Sequence, residues 1–304
     1  TDPGLTMKGA VMIRTEQLEK LYRTEEVETA ALRDVDLEID QGEYVAVMGP
    51  SGCGKSTLLN ILGGLDVPSA GTATVAGFDL LTMSADDRTR YRQNVIGFVW
   101  QQTARNLLPY LSAIANVELP MILGGVSSAG RRAKAMNLLE LVGLADRREH
   151  KPAQLSGGEQ QRVAIATALA NSPEVVFADE PTGELDTRTS AEVFDVLRRV
   201  NQAQDVTVVV VTHDPLVAGH VSRTVAIRDG RTSSEVVRRA EVSDEGEHHV
   251  VAEEFAVLDR VGRLQLPTDY VEALELERRV KLTLDDDHIN VWPDRSASES
   301  EDSA

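Results

Sequence analysis

The chain has 304 residues, of which 42% are hydrophobic, and carries a formal net charge of -18. This length allows one large domain and one small one, at roughly 100–200 residues per domain. The acidic charge disfavours nucleic acid and anionic lipid as partners held by charge alone, because both carry negative phosphates. Much of that charge lies near the C-terminus, where residues 241–304 hold 18 Asp/Glu against 6 Lys/Arg.

The sequence also indicates the cellular compartment in which the protein is expected. No segment approaches the ~20 apolar residues of a membrane-spanning helix, and no signal peptide is visible. The single cysteine, Cys53, excludes an internal disulfide and agrees with a reducing cytosol. We therefore expect a cytoplasmic protein. Residues 1–11 are expected to be a leader or an expression remnant, with Met7 and Met12 as candidate start residues.

Strands and helices alternate through residues 12–240, which predicts an α/β domain. Short strands are predicted at 12–14, 30–32, 35–39, 44–48 and 95–99. Two nearly continuous apolar runs, 175–178 and 206–211, are typical of parallel strands covered on both faces. Helices are predicted at 58–62, 84–93, 112–150 and 162–170.

A different organisation is predicted after residue 240. The Ser/Asp/Glu/His-rich stretch 241–250 indicates a linker. Residues 251–295 then read as a small β-rich unit, with strand-like runs at 255–258 and 263–266, a helix from Thr268 through Arg279 and a final hairpin over 280–291. Residues 296–304 are expected to be a disordered tail.

One glycine-rich run lies between a predicted strand and a predicted helix: Gly49-Pro50-Ser51-Gly52-Cys53-Gly54-Lys55-Ser56-Thr57. It fits the phosphate-loop pattern G-x-x-x-x-G-K-[ST]. The glycines let successive N–H groups turn inward around an anion, and the helix adds its positive N-terminal end. Lys55 is expected to reach the β- and γ-phosphates, and the Ser56 hydroxyl to bind Mg²⁺. The run predicts binding of a nucleoside triphosphate.

Two carboxylates, Asp179 and Glu180, end the apolar strand 175–178. Asp179 is expected at the C-terminal end of that strand, beside the phosphate loop, where it can hold Mg²⁺. Glu180 should point to the other side, which suits a base that orients the attacking water. Without the phosphate loop, a solvated turn would be the simpler interpretation of this pair.

A third motif, Leu155-Ser156-Gly157-Gly158-Glu159-Gln160-Gln161-Arg162, precedes a predicted helix upstream of Asp179. Together with the other two motifs it resembles the signature of ABC ATPases, over roughly residues 12–235. The resemblance implies an ABC-type P-loop ATPase fold, with a RecA-like core and a helical subdomain, that hydrolyses MgATP. It also implies a head-to-tail homodimer in which Ser156, Gly157 and Gly158 hold the γ-phosphate bound to the other subunit.

The resemblance gives roles to five further residues. Gln101 is similar to the Q-loop glutamine, which touches Mg²⁺ or water and senses the transmembrane partner. His213 resembles the switch histidine that bonds the γ-phosphate. Leu185-Asp186 resembles the D-loop, and Tyr22 is expected to stack on adenine. The predicted catalytic residues are thus Glu180, His213, Gln101 and Lys55. The predicted Mg²⁺ ligands are Ser56, Gln101 and Asp179. ATP is expected to bind at residues 49–57, Tyr22, Ser156, Gly157, Gly158 and Asp186.

Within the ABC proteins, three stretches resemble the subfamily that serves lipoprotein release and macrolide export: Asn106-Leu107-Leu108-Pro109, Asn116-Val117-Glu118-Leu119-Pro120 and Ala178-Asp179-Glu180-Pro181-Thr182-Gly183. This implies a four-span membrane permease as partner, with the chain bound to the cytoplasmic face of the membrane through it. Two departures stand out. Four residues, 102–105, separate Gln101 from Asn106 where the common pattern has about two, and Glu184 replaces the usual Asn.

Cys53 has two interpretations. It is a small filler residue, or it is a reactive thiol activated by the backbone donors of the loop and by Lys55. Bound nucleotide would protect a reactive thiol from alkylation.

Residues 254–293 resemble the AbrB/MazE swapped-hairpin fold, on Gly262-Arg263, Pro267 and the closing Trp292-Pro293. Proteins of that fold often bind DNA. Residues 251–295 carry 11 acidic and 6 basic residues, so no nucleic acid is expected here. The unit is expected to dimerise and to tether two ATPase subunits. An alternative function is a soluble regulatory ABC ATPase that uses this unit as a sensor.

Overall fold

The computed structural model describes residues 10–23, 28–242, 248–258, 262, 264–266, 268–276, 280–286 and 288–293. Most of the predicted leader and all of the predicted tail lie outside the described residues. The same holds for Arg263, Pro267 and residues 277–279, where the last predicted helix was expected to end.

The strands of the described residues are β1 (Val11–Arg23), β2 (Glu28–Asp40), β3 (Tyr44–Met48), β4 (Ala70–Val75), β5 (Phe78–Asp79), β6 (Ile96–Val99), β7 (Val175–Asp179), β8 (Thr207–Thr212), β9 (Arg223–Arg228), β10 (Arg231–Val242), β11 (His248–Ala256), β12 (Val280–Leu284) and β13 (Ile289–Pro293). The helices are α1 (Lys55–Leu62), α2 (Ala85–Arg90), α3 (Thr103–Asn106), α4 (Ala113–Leu123), α5 (Ser128–Leu141), α6 (Gly157–Ala168), α7 (Thr187–Gln204) and α8 (Thr268–Ala273). Among them, none combines the length and the apolar character that crossing a bilayer requires.

The largest sheet has seven strands in the order β11-β10-β9-β3-β8-β7-β6. Strands β9, β3, β8, β7 and β6 run parallel to one another. Strand β10 pairs antiparallel with both β9 and β11. The C-terminal ends of parallel strands lie at one edge of a sheet, which is where α/β proteins bind ligands. The phosphate loop follows β3, Asp179 ends β7 and His213 follows β8, so this topology brings the three segments to the same edge.

Two apolar cores cover opposite faces of this sheet, because alternate residues of a strand point to opposite sides. In β7, for example, Val176 and Ala178 belong to one core and Val175 and Phe177 to the other. The first core packs against helices α4 to α7. The second packs against α1 and a four-stranded antiparallel sheet of order β2-β1-β4-β5. Both faces are buried, which explains the continuous apolar runs of β7 and β8.

The helical region is more divided than the sequence indicated. The helix predicted over 112–150 is two helices, α4 and α5, because Gly124 and Gly125 end the first and Gly125 has a φ of 75° that favours glycine. Helix α6 begins at Gly157, five residues before its predicted start, because Ser156 caps it.

The linker predicted over 241–250 is the largest difference between prediction and structure. Strand β10 continues to Val242 and pairs with β11 from Ser234↔Ala256 to Val242↔His248. Strand β11 therefore extends the large sheet, and residues 251–256, assigned from the sequence to a second unit, belong to that sheet. Residues 243–247 of the predicted linker lie outside the described part of the chain. Beyond β11, the hairpin of β12 and β13 forms a separate two-stranded sheet, where it was predicted.

Gly97 in β6 permits close packing of α6 on the sheet, and its substitution should be costly. A Cβ atom there would lie 2.4 Å from the carbonyl oxygen of Ala168. We expect Gly97→Ala to lower the free energy of unfolding by about 1–3 kcal/mol, the usual cost of overpacking, as measured by urea denaturation. Gly219→Ala is the matched control, because nothing lies within 4 Å of its added Cβ. Equal stability of the two variants would contradict this packing.

Candidate nucleotide site

The phosphate loop curls between β3 and α1, and its lysine is held inside the curl. Lys55 Nζ donates to the carbonyl oxygens of Gly49 at 2.7 Å and Pro50 at 2.9 Å, and the residue is 6% exposed. Gly54 has a φ of 105°, and a Cβ there would lie 2.3 Å from the carbonyl oxygen of Ala31. The loop thus needs glycine at this position for both conformation and space.

A hydroxyl and a carboxylate meet at the start of α1. Ser56 Oγ donates to Asp179 Oδ1 at 3.2 Å, which joins the loop to the end of β7. Burial raises the pKa of Asp179, and the charge of Glu180 acts in the same direction; the Ser56 hydrogen bond, Lys55 and Arg105 oppose them. Mg²⁺ prefers such oxygen ligands and is commonly bound by one or two protein oxygens together with phosphates. A cation would also offset the buried negative charge, so this pair fits the predicted Mg²⁺ site.

Glu180 faces away from that pair and is fixed by the end of β8. Its Oε2 accepts from Thr212 Oγ1 at 3.0 Å and from the backbone N–H of His213 at 3.4 Å, and its Oε1 lies 2.9 Å from His213 Nδ1. The residue has a φ of 46°, a left-handed conformation that is uncommon for glutamate and is found at functional sites. Two residues predicted separately, Glu180 and His213, are therefore in direct contact. The sequence analysis did not identify Thr212, although its position just before His213 could have suggested it.

Gln101 follows β6 and lies against the segment after Glu180. A Cβ on Gly183 would be 2.7 Å from Gln101 Nε2, so glycine at 183 leaves space for this side chain. The predicted Q-loop residue is thus placed beside the carboxylate segment. Its roles toward Mg²⁺ and a partner remain predictions.

Tyr22 lies at the surface and is 42% exposed. Its hydroxyl donates to Asp66 Oδ2 at 2.9 Å, and Lys20 Nζ lies 4.9 Å from the ring centroid. Burial and the Asp66 hydrogen bond raise the pKa of Tyr22, whereas a hydrogen bond with Thr57 acts to lower it. The Tyr22 hydroxyl is therefore close to Thr57, the last residue of the phosphate loop. Stacking of the ring on adenine stays a prediction.

The signature motif forms the N-terminus of α6. Ser156 Oγ accepts from the N–H of Glu159 at 3.2 Å, and Glu159 Oε2 accepts from the N–H of Ser156 at 2.8 Å, a reciprocal capping box. A Cβ on Gly157 would lie 3.1 Å from Leu185 Cδ2, and one on Gly158 2.2 Å from Thr189 Cγ2. Gly157 thus permits close contact with Leu185 of the predicted D-loop, and Gly158 permits close contact with Thr189 of α7.

Asp186 caps the neighbouring helix. Its carboxylate accepts from the N–H groups of Arg188 and Thr189, each at 3.1 Å, and from Thr189 Oγ1 at 2.7 Å. Helices α6 and α7 therefore present their N-termini side by side. Contact of Ser156, Gly157, Gly158 and Asp186 with nucleotide stays a prediction.

Cys53 is packed beneath the phosphate loop and is 6% exposed. Its carbonyl oxygen accepts from the N–H of Gly230 at 3.1 Å, in the turn between β9 and β10. A Cβ on Gly49 would lie 2.7 Å from Cys53 Sγ, so the thiol occupies a tight space. This burial favours a filler residue over a reactive thiol.

Comparison with known proteins shows to which family this chain belongs. Residues 32–183, half of the chain, match the sequence profile described as ABC transporter. The chain belongs to the ABC transporter family. The ATPase fold expected from the three sequence motifs is thereby confirmed, whereas the AbrB/MazE-like fold of the C-terminal unit stays a prediction.

Relatives among the ABC transporter proteins agree with the subfamily resemblance. The chain is 46% identical over 219 residues to the uncharacterized ABC transporter ATP-binding protein MJ1508 of Methanocaldococcus jannaschii, covering 72% of this chain and 96% of that one. It is 47% identical over 238 residues to the macrolide export ATP-binding/permease protein MacB 1/2 of Paracoccus denitrificans. That match covers 78% of this chain but 35% of the relative, so the chain spans about a third of MacB.

A solved ABC cassette has the same fold. The structure of the ATP-binding cassette MJ0796, described as a dimeric post-hydrolysis state bound to ADP and Pi, superimposes with a TM-score of 0.67 at 43% identity. The match covers 74% of this chain and 97% of that chain.

The burial of Cys53 predicts slow alkylation. Because the thiol is reached only when the loop opens, iodoacetamide should label the native protein about a hundredfold or more slowly than the urea-unfolded protein. The rate should be low with and without MgATP, and mass spectrometry can measure it at this single cysteine. Rapid labelling that MgATP suppresses would instead support a reactive thiol.

Proposed function

We propose that this chain is the ATP-binding subunit of an ABC transporter, which hydrolyses MgATP in a head-to-tail homodimer and drives a separate membrane permease. One observation carries the proposal. The phosphate loop, the Ser56–Asp179 pair and the Glu180–His213 pair meet at a single edge of the parallel sheet. This arrangement supplies an anion cradle, oxygen ligands for a cation and a positioned base at one place.

The residues divide the chemistry among them. Lys55 and the loop N–H groups bind the β- and γ-phosphates, whose oxygens replace the loop carbonyls at Nζ. Glu180 orients the attacking water and accepts its proton, while Thr212 and the N–H of His213 fix the carboxylate. With Nδ1 of His213 against Glu180, its Nε2 is left to bond the γ-phosphate. Mg²⁺, held by Ser56, Asp179 and Gln101, neutralises phosphate charge when bound.

A homodimer is supported by the N-terminus of α6 and by a relative. Helix α6 has 12 residues and begins at Gly157 with Ser156 as its cap, and such a terminus favours an anion such as a γ-phosphate. The cassette MJ0796 is described as dimeric. In our proposal Ser156, Gly157 and Gly158 of one subunit bind the γ-phosphate held by Lys55 of the other.

A permease partner is supported by the MacB relatives, whose name joins an ATP-binding part with a permease. This chain would supply the ATP-binding part at the cytoplasmic face of the membrane and act on a four-span permease. A groove of about 460 Å³ lies between β6, α4 and α6, lined by residues such as Phe98, Pro120 and Ala168. Leu123 at its rim is 74% exposed, which suits an apolar helix of the permease.

One observation favours the second candidate, a soluble regulatory ATPase with a sensor unit. A cavity of about 340 Å³ lies between the β9–β10 turn and the side chains of Val257, Leu258, Leu264 and Gln265. Its charged lining consists of Arg33, Arg228 and Arg231 together with Asp34, Asp36 and Asp229. Co-purification of a membrane permease with the tagged chain would favour the transporter, whereas a small molecule that changes ATPase activity without a permease would favour the sensor.

The role of Glu180 predicts a large loss of turnover on removal of its charge. We expect Glu180→Gln to lower the ATPase rate by about 10²–10⁴, the usual contribution of a positioned base. ATP binding should persist, and the closed dimer should accumulate in size-exclusion chromatography with ATP. Glu140→Gln removes an exposed carboxylate of α5 and serves as the control for charge. Turnover in Glu180→Gln within a few-fold of the parent would rule out the assignment.

The C-terminal unit is expected to tether the dimer. A chain ending at Val257 keeps β11 in the large sheet but loses α8, β12 and β13. Its specific ATPase rate should rise with protein concentration, because subunits must now meet by diffusion, whereas the rate of the full chain should be nearly constant. Indistinguishable concentration dependence of the two chains would remove the tethering role.

A further inference from the structure

The loop after β6 is closed at its base by one side chain. Asn106 Oδ1 accepts from the N–H of Trp100 at 2.8 Å, and Asn106 Nδ2 donates to the carbonyl oxygen of Trp100 at 2.7 Å. Gln161 of α6 donates to the same carbonyl oxygen at 3.4 Å. Residues 101–105, of which the last three belong to α3, are therefore closed at the base by Asn106.

This loop lies beside the two carboxylates. Strands β6 and β7 are parallel neighbours with Val99 opposite Ala178, so Trp100 follows at the level of Asp179. On the same loop, the Gln101 side chain occupies the space beside Gly183 that a Cβ atom would otherwise fill. The extra residues of the loop are thus held next to the catalytic edge of the sheet.

Arg105 is turned back over this edge. Its guanidinium carbon lies 5.9 Å from the centroid of the Trp100 ring, and that ring stacks on Phe98 at a centroid distance of 3.9 Å. A cation at this distance from an indole face is attracted by its quadrupole. The charge of Arg105 also reaches Asp179, where it opposes, together with Lys55, the rise in pKa that burial causes. The side chain is exposed and accessible to a ligand.

Arg105 would bring a second protein cation to this end of the site, beside Lys55 and any bound Mg²⁺. Asp179 and Glu180 place two carboxylates where a triphosphate must bind, and the sequence motifs provided one cation, Lys55, to oppose them. A guanidinium presents a planar fork of donors that matches phosphate oxygens in bidentate fashion. Trp100 lies at the level of Asp179, so a guanidinium beside its ring lies at the end of the site that holds the carboxylates, where the γ-phosphate is expected.

We propose that Arg105 is an additional phosphate-binding residue, supplied in cis by the inserted loop, which leaves the Trp100 ring and binds the γ-phosphate when ATP enters. The inference rests on the proposed function, because it requires a nucleoside triphosphate at the phosphate loop. It also explains the insertion, since four residues between Gln101 and Asn106 let a side chain reach back to β7 from a loop that Asn106 closes.

Comparing the affinities for a triphosphate analogue and for ADP tests whether Arg105 binds the γ-phosphate or another part of the nucleotide. In calorimetric titrations with Mg²⁺, Arg105→Gln should bind the non-hydrolysable analogue AMP-PNP about tenfold or more weakly than the parent, the scale of a charge-assisted hydrogen bond, with ADP affinity within about twofold. Arg105→Lys should recover part of the loss because it keeps the charge without the fork. Arg90→Gln, which removes an exposed arginine of α2, should change neither affinity.

Trp100 offers an independent signal that does not depend on affinity. The chain has two tryptophans, Trp100 and Trp292, so Trp292→Phe leaves Trp100 as the only indole emitter. In that background AMP-PNP should change the Trp100 emission as Arg105 leaves the ring, and ADP should change it much less. The AMP-PNP response should be lost in Trp292→Phe/Arg105→Gln.

The remaining outcomes overturn the inference. Unchanged affinities in Arg105→Gln, with only a lower unfolding midpoint, would mean that Arg105 serves the Trp100 packing alone. An equal loss for AMP-PNP and ADP would remove the γ-phosphate assignment. If the parent bound neither nucleotide, the proposed function itself would fail, which is distinguishable from failure of the Arg105 inference in a parent that binds both.

Discussion

The parallel pairing of β3, β8, β7 and β6 is the constraint on which the site depends. Each of these strands ends at the same edge, so four segments distant in sequence place their first residues side by side. The pairing is stable because both faces of the sheet are covered by apolar cores. The loop after β3, the carboxylates after β7 and the histidine after β8 then have fixed relative positions before any ligand binds.

Within this frame, adjacent carboxylates have different partners. Asp179 is the last strand residue and is bonded to the hydroxyl of Ser56, whereas Glu180 leaves the strand in a left-handed conformation and is bonded to Thr212 and His213. One backbone turn thereby directs two like charges toward different elements. It reduces their mutual repulsion and gives them different chemical environments, which is how neighbouring acids acquire separate tasks.

The sequence predicted most of what local pattern determines. The phosphate loop, the strand that ends in Asp179 and the apolar runs of β7 and β8 were identified because each is encoded within a few consecutive residues. The closure of the 101–105 loop by Asn106 and the fixation of Glu180 by Thr212 were not, because they depend on side-chain geometry and on contacts between distant segments. The prediction of a linker over 241–250 was wrong for another reason. The stretch is rich in polar residues as a whole, but it includes the end of β10 and the start of β11, and Val242 and Val250 belong to these paired strands.

The turn between β9 and β10 has a mechanical consequence. Gly230 in this turn donates its N–H to Cys53 in the phosphate loop and accepts from the N–H of Arg33. Strand β10 continues from the turn to the edge strand β11 and so to everything that follows in the chain. Displacement of the C-terminal unit is therefore coupled to the phosphate loop through β11, β10 and this turn, where the hydrogen bond from Gly230 to Cys53 adds to the pairing of β10 with β9 and of β9 with β3. The C-terminal end of the chain is thereby linked mechanically to the loop that is predicted to bind the phosphates.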